Sequence, residues 1–294
     1  MPRRHAWTEL PESVREKIQR HTGPVLSTRV PEFGKSSEFS ATLDTADGPV
    51  FCKGVRADRT FAWTHRNEAA VAPHLPASLA PQLLWEVTQD GWLMLGFEFV
   101  RGRYPSLSPT SGDLDVIGDL VVTMAEALTP CPSAARRSIT DRWSGAPGWA
   151  AVHTQSPDDL DPWARTNVGI LATLERGVSL DGDTLVHSDL HPANMLIEDG
   201  HVRVIDWAWS ARGAAWIDPA YLVVRLMHEG HSPEVAEAWA VHAPAFAKAP
   251  KPLITAFAAK LSGMWEHIAR SPQARPHARE LADTARRWVR YRLD

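Results

Sequence analysis

Two short strand-like segments, the apolar residues 195–197 and residues 202–205 with their β-branched side chains, constrain the fold of this chain more than any other feature. The residues between them include an Asp-Gly dipeptide, which strongly favours a tight turn between antiparallel strands. Because a hairpin brings its two ends together, Asn194 before the first run and Asp206 after the second should lie close in space. The segment therefore predicts a β-hairpin with an amide and a carboxylate side chain at its open end.

Oxygen-bearing side chains in this arrangement suit a magnesium ion. Mg²⁺ binds carboxylate, amide, phosphate and water oxygens, and Asn194 and Asp206 supply the first two. Asp189 lies five residues before Asn194 on the same loop, where a carboxylate can accept the proton of a substrate hydroxyl. The same order of Asp, Asn and Asp belongs to the general template for phosphoryl transfer from ATP by kinases. The alternative is that all three are ordinary turn residues.

Phosphoryl transfer also requires a lysine on a strand and a glutamate on the next helix. Residues 49–55 read as a strand that contains Lys53, and residues 59–75 read as a helix that contains Glu68. We expect Glu68 to pair with Lys53 and to hold its ammonium group against the phosphates of a nucleotide. Taken singly, Lys53 fits a solvated edge strand and Glu68 fits a helix surface. Their order ahead of the polar loop favours the shared role.

The loop at residues 31–38 is the candidate phosphate-covering turn, although its signal is weak. It contains one glycine, Gly34, together with Ser36 and Ser37, whose amides and hydroxyls can donate to phosphate. Glycine and serine are also ordinary residues of hairpin turns, which is the alternative interpretation.

A strand pair is predicted at residues 81–87 and 92–95, followed by a glycine-containing segment at about 96–102. We expect that segment to be a hinge between two lobes whose backbone contacts the adenine, with Phe97 and Phe99 among the nucleotide-binding residues. The alternative is a buried strand that continues into a loop.

On these motifs the chain resembles the aminoglycoside-phosphotransferase-like family of small-molecule kinases. The resemblance rests on residues 51–53, 67–69, 95–103, 186–197, 204–207 and 218–221. It implies an α+β, bilobal, protein-kinase-like fold, with an N-terminal lobe of antiparallel sheet and one main helix and a larger, mostly helical C-terminal lobe. We expect the first lobe at residues 1–97 and the second at residues 98–294.

The resemblance implies the roles already argued for the base, the metal ligands and the lysine pair, and it adds two supporting residues. His187 and Asp218 are expected to hold the catalytic loop by hydrogen bonds. Three features depart from the family pattern: Ser188 stands where glycine is usual, Leu222 stands where a second Asp is common, and the loop at 31–38 is poor in glycine. These departures weaken assignment to a subfamily, but none removes a reacting or metal-binding group.

The acceptor is expected to be a small molecule with a hydroxyl group. Residues 151–245 carry 14 acidic and 5 basic side chains, a net charge of −9, which favours a cationic acceptor such as an aminoglycoside or a choline-like amine. The alternative is a solvated helical surface. Glu229 and Glu266 are candidates for binding the amine. The family contains antibiotic kinases, which give resistance, and metabolite kinases for amino alcohols or sugars, so both kinds of acceptor stay open.

Two other classes of protein are weighed against this one. A nucleotide-binding pseudokinase with a regulatory role should lack the lysine, the base or a metal ligand, yet all are present. A protein kinase needs an activation segment, and Asp218 follows Asp206 by only twelve residues. The sequence therefore favours an enzyme that phosphorylates a small molecule.

Composition bounds the remaining possibilities. No apolar run approaches the roughly 18 residues that span a membrane, and no apolar core follows the basic N-terminal residues, so neither a membrane segment nor a signal peptide is expected. Two cysteines and the use of ATP indicate the cytoplasm. The 13 histidines show no zinc spacing. The basic segment at 246–294 lacks an aromatic stacking platform, so no nucleic-acid partner is expected.

Apolar residues at helical spacing predict a series of helices after the hinge. They are expected at residues 113–128, 160–177, 218–229, 233–246, 252–269 and 275–292.

Overall fold

A computed structural model describes residues 4–31, 37–155, 157–272, 274 and 277–294. The chain divides into two compact units. The first is formed by Met1–Pro105, Pro132–Arg136 and Pro192–Ser210, and the second by Ser106–Cys131, Arg137–His191 and Ala211–Asp294.

The described residues form both strands and helices. The strands are β1 (Val25–Arg29), β2 (Phe39–Thr45), β3 (Gly48–Arg56), β4 (Leu83–Gln89), β5 (Trp92–Glu98), β6 (Thr184–Val186), β7 (Met195–Glu198), β8 (His201–Val204) and β9 (Ala211–Gly213). The helices are α1 (Glu12–Thr22), α2 (Ala62–Val71), α3 (Asp113–Ala127), α4 (Ile139–Ser144), α5 (Trp149–Gln155), α6 (Pro162–Arg176), α7 (Ile217–His228), α8 (Pro233–Ala240), α9 (Pro244–Ala247), α10 (Lys251–Arg270) and α11 (Ala278–Leu293).

An antiparallel sheet is the centre of the first unit. Within the described residues its strands pair in the order β1-β2-β3-β5-β4, so β3 lies in the middle. Phe39, Ala41 and Leu43 occupy alternate positions of β2 and are buried, as expected for side chains that share one face of a strand. Val14 and Ile18 lie one turn apart on α1 and join the same core. The sheet was predicted, whereas α1 was not.

Asp-Gly turns close two hairpins of this unit. Asp90 and Gly91 join β4 to β5, and Asp199 and Gly200 join β7 to β8. All four residues have positive φ, between 47° and 79°, which is the geometry that this dipeptide favours in two-residue hairpin loops. The hairpin predicted from the segments at 195–197 and 202–205 is therefore confirmed.

The second unit is mostly helical, with an aromatic core. Trp149 on α5, Phe257 on α10 and Trp288 on α11 are among its largest fully buried side chains. β6 and β9 form a short antiparallel pair in this unit. Together with the N-terminal sheet, these helices confirm the predicted α+β class. In the described ranges, no helix combines the length and the apolar character that a membrane crossing requires.

The prediction of one helix over residues 233–246 is wrong. Helix α8 ends at Ala240, and the short helix α9 begins at Pro244. Ala243 between them has φ −77° and ψ 113°, an extended conformation. A proline ring disfavours the helical conformation at the residue before it, so Pro244 starts a new helix and cannot continue the old one.

Candidate active site

A buried cluster of three charged side chains lies in the first unit. Lys53 on β3 places its Nζ 2.6 Å from Oε2 of Glu68 on α2 and 2.7 Å from Oδ1 of Asp206, which follows β8. The side chains of Lys53 and Glu68 are 7% and 3% exposed, whereas that of Asp206 is 27% exposed. The structure thus brings together three of the predicted site residues, and one of the two carboxylates remains accessible.

Burial and charge act in opposite directions within this cluster. Burial by itself lowers the pKa of Lys53, but Asp206 and Glu68 outweigh it, so the pKa is raised and the ammonium stays charged. Burial raises the pKa of Glu68 to about 7, against the lowering effect of Lys53. The first unit therefore contains a charged lysine in contact with an accessible carboxylate.

The chain around Asp206 is held by α2. Asp206 has φ 62°, a left-handed conformation that is uncommon outside glycine. The next residue, Trp207, donates its amide to Glu68 Oε1 at 3.1 Å. Asn67 donates from its side chain to the carbonyl of Ser210 at 2.9 Å. Neighbouring residues of one helix thus fix the segment that carries Asp206, and Asn67 was not among the predicted site residues.

Asn194 lies at the open end of the β7–β8 hairpin, next to the strand that leads to Asp206. Its carbonyl accepts the amide of Ile205 at 3.0 Å, and its side chain is buried. Within the described ranges, no group of three or more His, Cys, Asp or Glu side chains is placed to hold a metal ion. The donors at this end of the hairpin are an amide oxygen and a carboxylate, which suit a hard cation that takes its other ligands from phosphate and water.

The candidate phosphate loop is described only at its end. Gly34 and Ser36 lie outside the described residues. Ser37 is buried, and its Oγ lies 3.0 Å from Nε2 of His65 on α2. Burial lowers the pKa of His65 to about 3, and the charge of Lys53 adds to the effect, so this imidazole is neutral. His65 stands in no recognisable motif, and the sequence analysis did not select it.

Phe97 and Phe99 differ in their surroundings. Phe97 on β5 is buried, and the centre of its ring is 5.7 Å from Lys53 Nζ, within the range of a cation–π interaction. Phe99, just beyond β5, is half-buried, and the Arg29 guanidinium lies 5.6 Å from its ring centre. The ring of Phe97 is therefore part of the packing around the lysine, and that of Phe99 contacts a β1 side chain.

In the second unit, Asp218 organises the loop that carries Asp189. Asp218 is buried in the first turn of α7, and its two oxygens accept the amides of His187 and Ser188 at 2.8 Å each. Nδ1 of His187 in turn accepts the amide of Asp189 at 3.3 Å. The pKa of Asp218 is raised because burial outweighs the lowering effects of His187 and of the two amide bonds. The structure thus brings together the predicted base and both predicted supporting residues.

Arg142 also contacts this loop, and the sequence analysis did not select it. It lies on the six-residue helix α4, and its Nη1 donates to Ser188 Oγ at 2.7 Å. No motif marks this arginine, because the contact joins positions 46 residues apart.

Glu229 and Glu266, the candidates for binding an amine, have different surroundings. Glu266 on α10 is buried, and its carboxylate lies 2.8–3.2 Å from Arg270, Arg279 and Arg286. Glu229 follows the last residue of α7 and is exposed. Because three arginines neutralise Glu266, we do not propose it as an amine ligand.

The N-terminal antiparallel sheet and the mostly helical second unit have a kinase-like fold. Residues 34–250 match the family model described as "Phosphotransferase enzyme family", and the chain belongs to that family. It is therefore a small-molecule kinase, a phosphotransferase with a hydroxyl group as acceptor. No curated protein matches the chain in sequence.

Solved structures share the fold of this chain. An aminoglycoside phosphotransferase, APH(4)-Ia, in a ternary complex with ADP and hygromycin B, is 14% identical with a TM-score of 0.65, over 94% of this chain and 98% of that one. An amicoumacin kinase in complex with AMP-PNP is 13% identical with a TM-score of 0.58, over 95% and 90%. The choline kinase LicA of Streptococcus pneumoniae is 12% identical with a TM-score of 0.58, over 95% and 98%.

Proposed function

We propose that the chain transfers the γ-phosphate of ATP to a hydroxyl group of an amine-bearing small molecule. The observation that carries the proposal is the buried Lys53–Glu68–Asp206 cluster. A charged lysine beside an accessible carboxylate is suited to bind the phosphates of a nucleoside triphosphate and the metal ion that accompanies them. Adenine nucleotides in the complexes of two proteins of similar fold support ATP as the donor. Use of ATP is consistent with a cytoplasmic location, which stays a prediction.

Asp189 is the proposed general base. Its carboxylate would accept the proton of the acceptor hydroxyl while the hydroxyl oxygen forms a bond to the γ-phosphorus. The bond from that phosphorus to the bridging oxygen of ATP breaks, and ADP leaves with the electron pair. Asp218 and His187 support this role, since they hold the backbone on both sides of Ser188.

Asn194 and Asp206 are the proposed ligands of Mg²⁺, and their oxygen donors fit that ion. When bound, the ion would neutralise charge on the phosphates, a task that it would share with Lys53. Glu68 is proposed to keep Lys53 in place through its buried ion pair.

An amine-bearing acceptor is favoured by charge. Residues 151–245 carry the net charge of −9 noted above, which would attract a cation. The proteins of similar fold are described as a phosphotransferase with hygromycin B, an amicoumacin kinase and a choline kinase. We propose an aminoglycoside or another antibiotic as the first class of acceptor and an amino alcohol or sugar metabolite as the second.

Turnover with a panel of acceptors tests the function. ADP release would be measured with aminoglycosides, other amine-bearing antibiotics, choline-like amino alcohols and neutral sugars. We expect acceptor-dependent release that is strongest with the amine-bearing compounds. Strongest release with neutral sugars would overturn the charge argument. Nucleotide binding without turnover on any acceptor would favour a regulatory pseudokinase.

The substitution Asp189→Asn tests the assigned base. We expect kcat to fall on the order of 10²–10⁴-fold, because the carboxylate that accepts the proton is lost. Asp199→Asn at the exposed turn of the β7–β8 hairpin is the matched control and should keep wild-type kcat. Wild-type turnover by D189N would remove Asp189 from the mechanism.

A further inference from the structure

The residue before the proposed base has an unusual backbone conformation. Ser188 has φ 61°, in the left-handed region, and is buried. Glycine adopts this conformation without steric cost, whereas a side chain with a Cβ resists it. Since Ser188 precedes Asp189 directly, its backbone angles set the direction in which the Asp189 side chain leaves the loop. Something in the structure must hold a serine in this conformation.

Asp218 holds the backbone on the N-terminal side of Ser188. It accepts the amides of His187 and Ser188, which fixes the peptide groups that enter the loop. Both bonds are made by amides that precede the Cα of Ser188 in the chain. On the following side, the bond from the Asp189 amide to His187 is long, at 3.3 Å.

Arg142 restrains the segment through the side chain of Ser188. Its Nη1 donates to Ser188 Oγ at 2.7 Å in a charge-assisted hydrogen bond, and Ser188 is only 2% exposed. Burial lowers the pKa of this guanidinium, and the charges of Asp189 and Asp218 oppose that lowering. The arginine therefore lies among the side chains of the catalytic loop, and the reaction described above does not use it.

The helix that carries Arg142 is anchored to the strand pair that leads into the loop. Ser138 caps α4 through a bond from the amide of Asp141 at 2.9 Å. The amide of Arg212 on β9 donates to the carbonyl of Arg137 at 2.9 Å, just before α4. β9 pairs with β6, and β6 runs directly into the loop. The backbone that carries Arg142 and the loop are therefore attached to the same strand pair.

We propose that Arg142 is a positioning residue for phosphoryl transfer. By bonding to Ser188 Oγ it holds the left-handed conformation that directs Asp189 at the acceptor hydroxyl. A glycine at position 188 would adopt this conformation without the bond. This inference rests on the proposed function, in which Asp189 is the general base.

The test combines substitutions at both ends of the bond. Arg142→Met and Ser188→Ala should each lower kcat on the order of 10- to 100-fold, with the KM for ATP unchanged, because misdirection of the base affects the chemical step. The double variant R142M/S188A should be no slower than the slower single variant, since both remove the same bond.

Rescue by glycine is the decisive measurement. Ser188→Gly should keep kcat within about threefold of wild type, because glycine takes the left-handed conformation unaided. R142M/S188G should recover most of the kcat lost in R142M. A role of Arg142 in general stability would not be relieved by a glycine on the loop, so failure of the rescue would overturn the proposal.

Controls separate this inference from the function on which it rests. Arg176→Met at the exposed end of α6 is the matched control for loss of an arginine and should keep wild-type kcat. An inactive D189N beside a fully active R142M would overturn the positioning role alone. A fully active D189N would overturn the assignment of Asp189 as the base, and this inference with it, while absence of turnover on any acceptor in the wild-type protein would overturn the proposed function. Should R142M fail to fold, the S188A and S188G variants carry the test: equal kcat in both would overturn the proposal.

Discussion

His65 shows how one buried side chain ties stability to pH. Its residue is 2% exposed, with Ser37 Oγ 3.0 Å from Nε2 and Thr64 Oγ1 3.3 Å from Nδ1. Desolvation, helped by the charge of Lys53, lowers its pKa from 6.5 to about 3. Protonation would place a second cation beside the lysine in a site that excludes water, so the folded protein keeps this imidazole neutral.

Replacing His65 by glutamine should flatten the pH dependence of stability. The unfolded chain binds a proton here below about pH 6.5, whereas the folded protein binds it only near pH 3. The stabilising effect is therefore complete above pH 6.5 and is lost as the pH falls, at about 1.4 kcal/mol per pH unit. Urea unfolding between about pH 4 and 7 should give H65Q a smaller slope than wild type by about that amount.

Exposed His201 on β8 offers the control for loss of a histidine. The same change of slope in H201Q, or an unchanged slope in H65Q, would contradict the assignment of the pH effect to the buried ring.

Helix α10 passes close to the start of α5 at Gly263. A Cβ at this position would lie 2.6 Å from Trp149 N and 2.8 Å from Glu175 Oε2. Glu175 is itself held in place, because it accepts the amides of Trp149 and Ala150 at 2.8 Å each. The contact between these helices therefore requires a residue without a side chain.

The substitution Gly263→Ala should destabilise the protein by about 1–3 kcal/mol, because backbone atoms must move to admit the methyl group. Alanine forms helix better than glycine by about 1 kcal/mol, so the same change at an open helical site should stabilise. Gly169 on α6 is that site, since an added Cβ meets nothing within 4 Å. Thermal unfolding should shift in opposite directions for G263A and G169A; shifts of the same sign would contradict the packing argument.

Elements differed in how well local sequence predicted them. The β7–β8 hairpin followed from its strand-like segments and Asp-Gly turn, and helix α10 followed from apolar spacing. Helix α1 was missed although Val14 and Ile18 have helical spacing and Gly23 ends the helix with φ 69°. Helix α4 has six residues, too few for periodicity, and is defined by its Ser138 cap and by contacts to distant segments.

Ligand binding should stabilise the whole molecule, and the size of the effect in two variants should distinguish the role of Asp206 from that of Asp189. Mg²⁺ with non-hydrolysable AMP-PNP at about 100 times its Kd should add about 2.7 kcal/mol to the free energy of unfolding and raise the thermal midpoint. Asp206→Ala should lose most of this increase, because a proposed metal ligand is removed. Asp189→Asn should keep it. An increase lost in D189N, or kept in D206A, would count against the division of roles.

Part of the charge of the chain is neutralised by ion pairs between its own segments. The basic segment at 246–294 and the acidic segment at 151–245 pair with each other in the second unit, through Arg270 with Asp159, Arg286 with Asp161 and Arg292 with Glu237. Among the described residues, these pairs engage 3 of the 14 acidic side chains, so the acidic excess available to a cationic acceptor is reduced but not removed.

The sequence by itself determined the hairpin between Asn194 and Asp206, because turn chemistry and apolar periodicity act over a few residues. The α+β class and the kinase family followed from the resemblance of its motifs to those of a known family. The sequence predicted the pairing of Lys53 with Glu68, and only the tertiary structure decided the other contacts between charged side chains. It joined Lys53 to Asp206 across 153 positions, enclosed Glu266 among arginines and placed Arg142 against Ser188. Such pairings depend on burial and on distances between remote segments, and no local pattern encodes either.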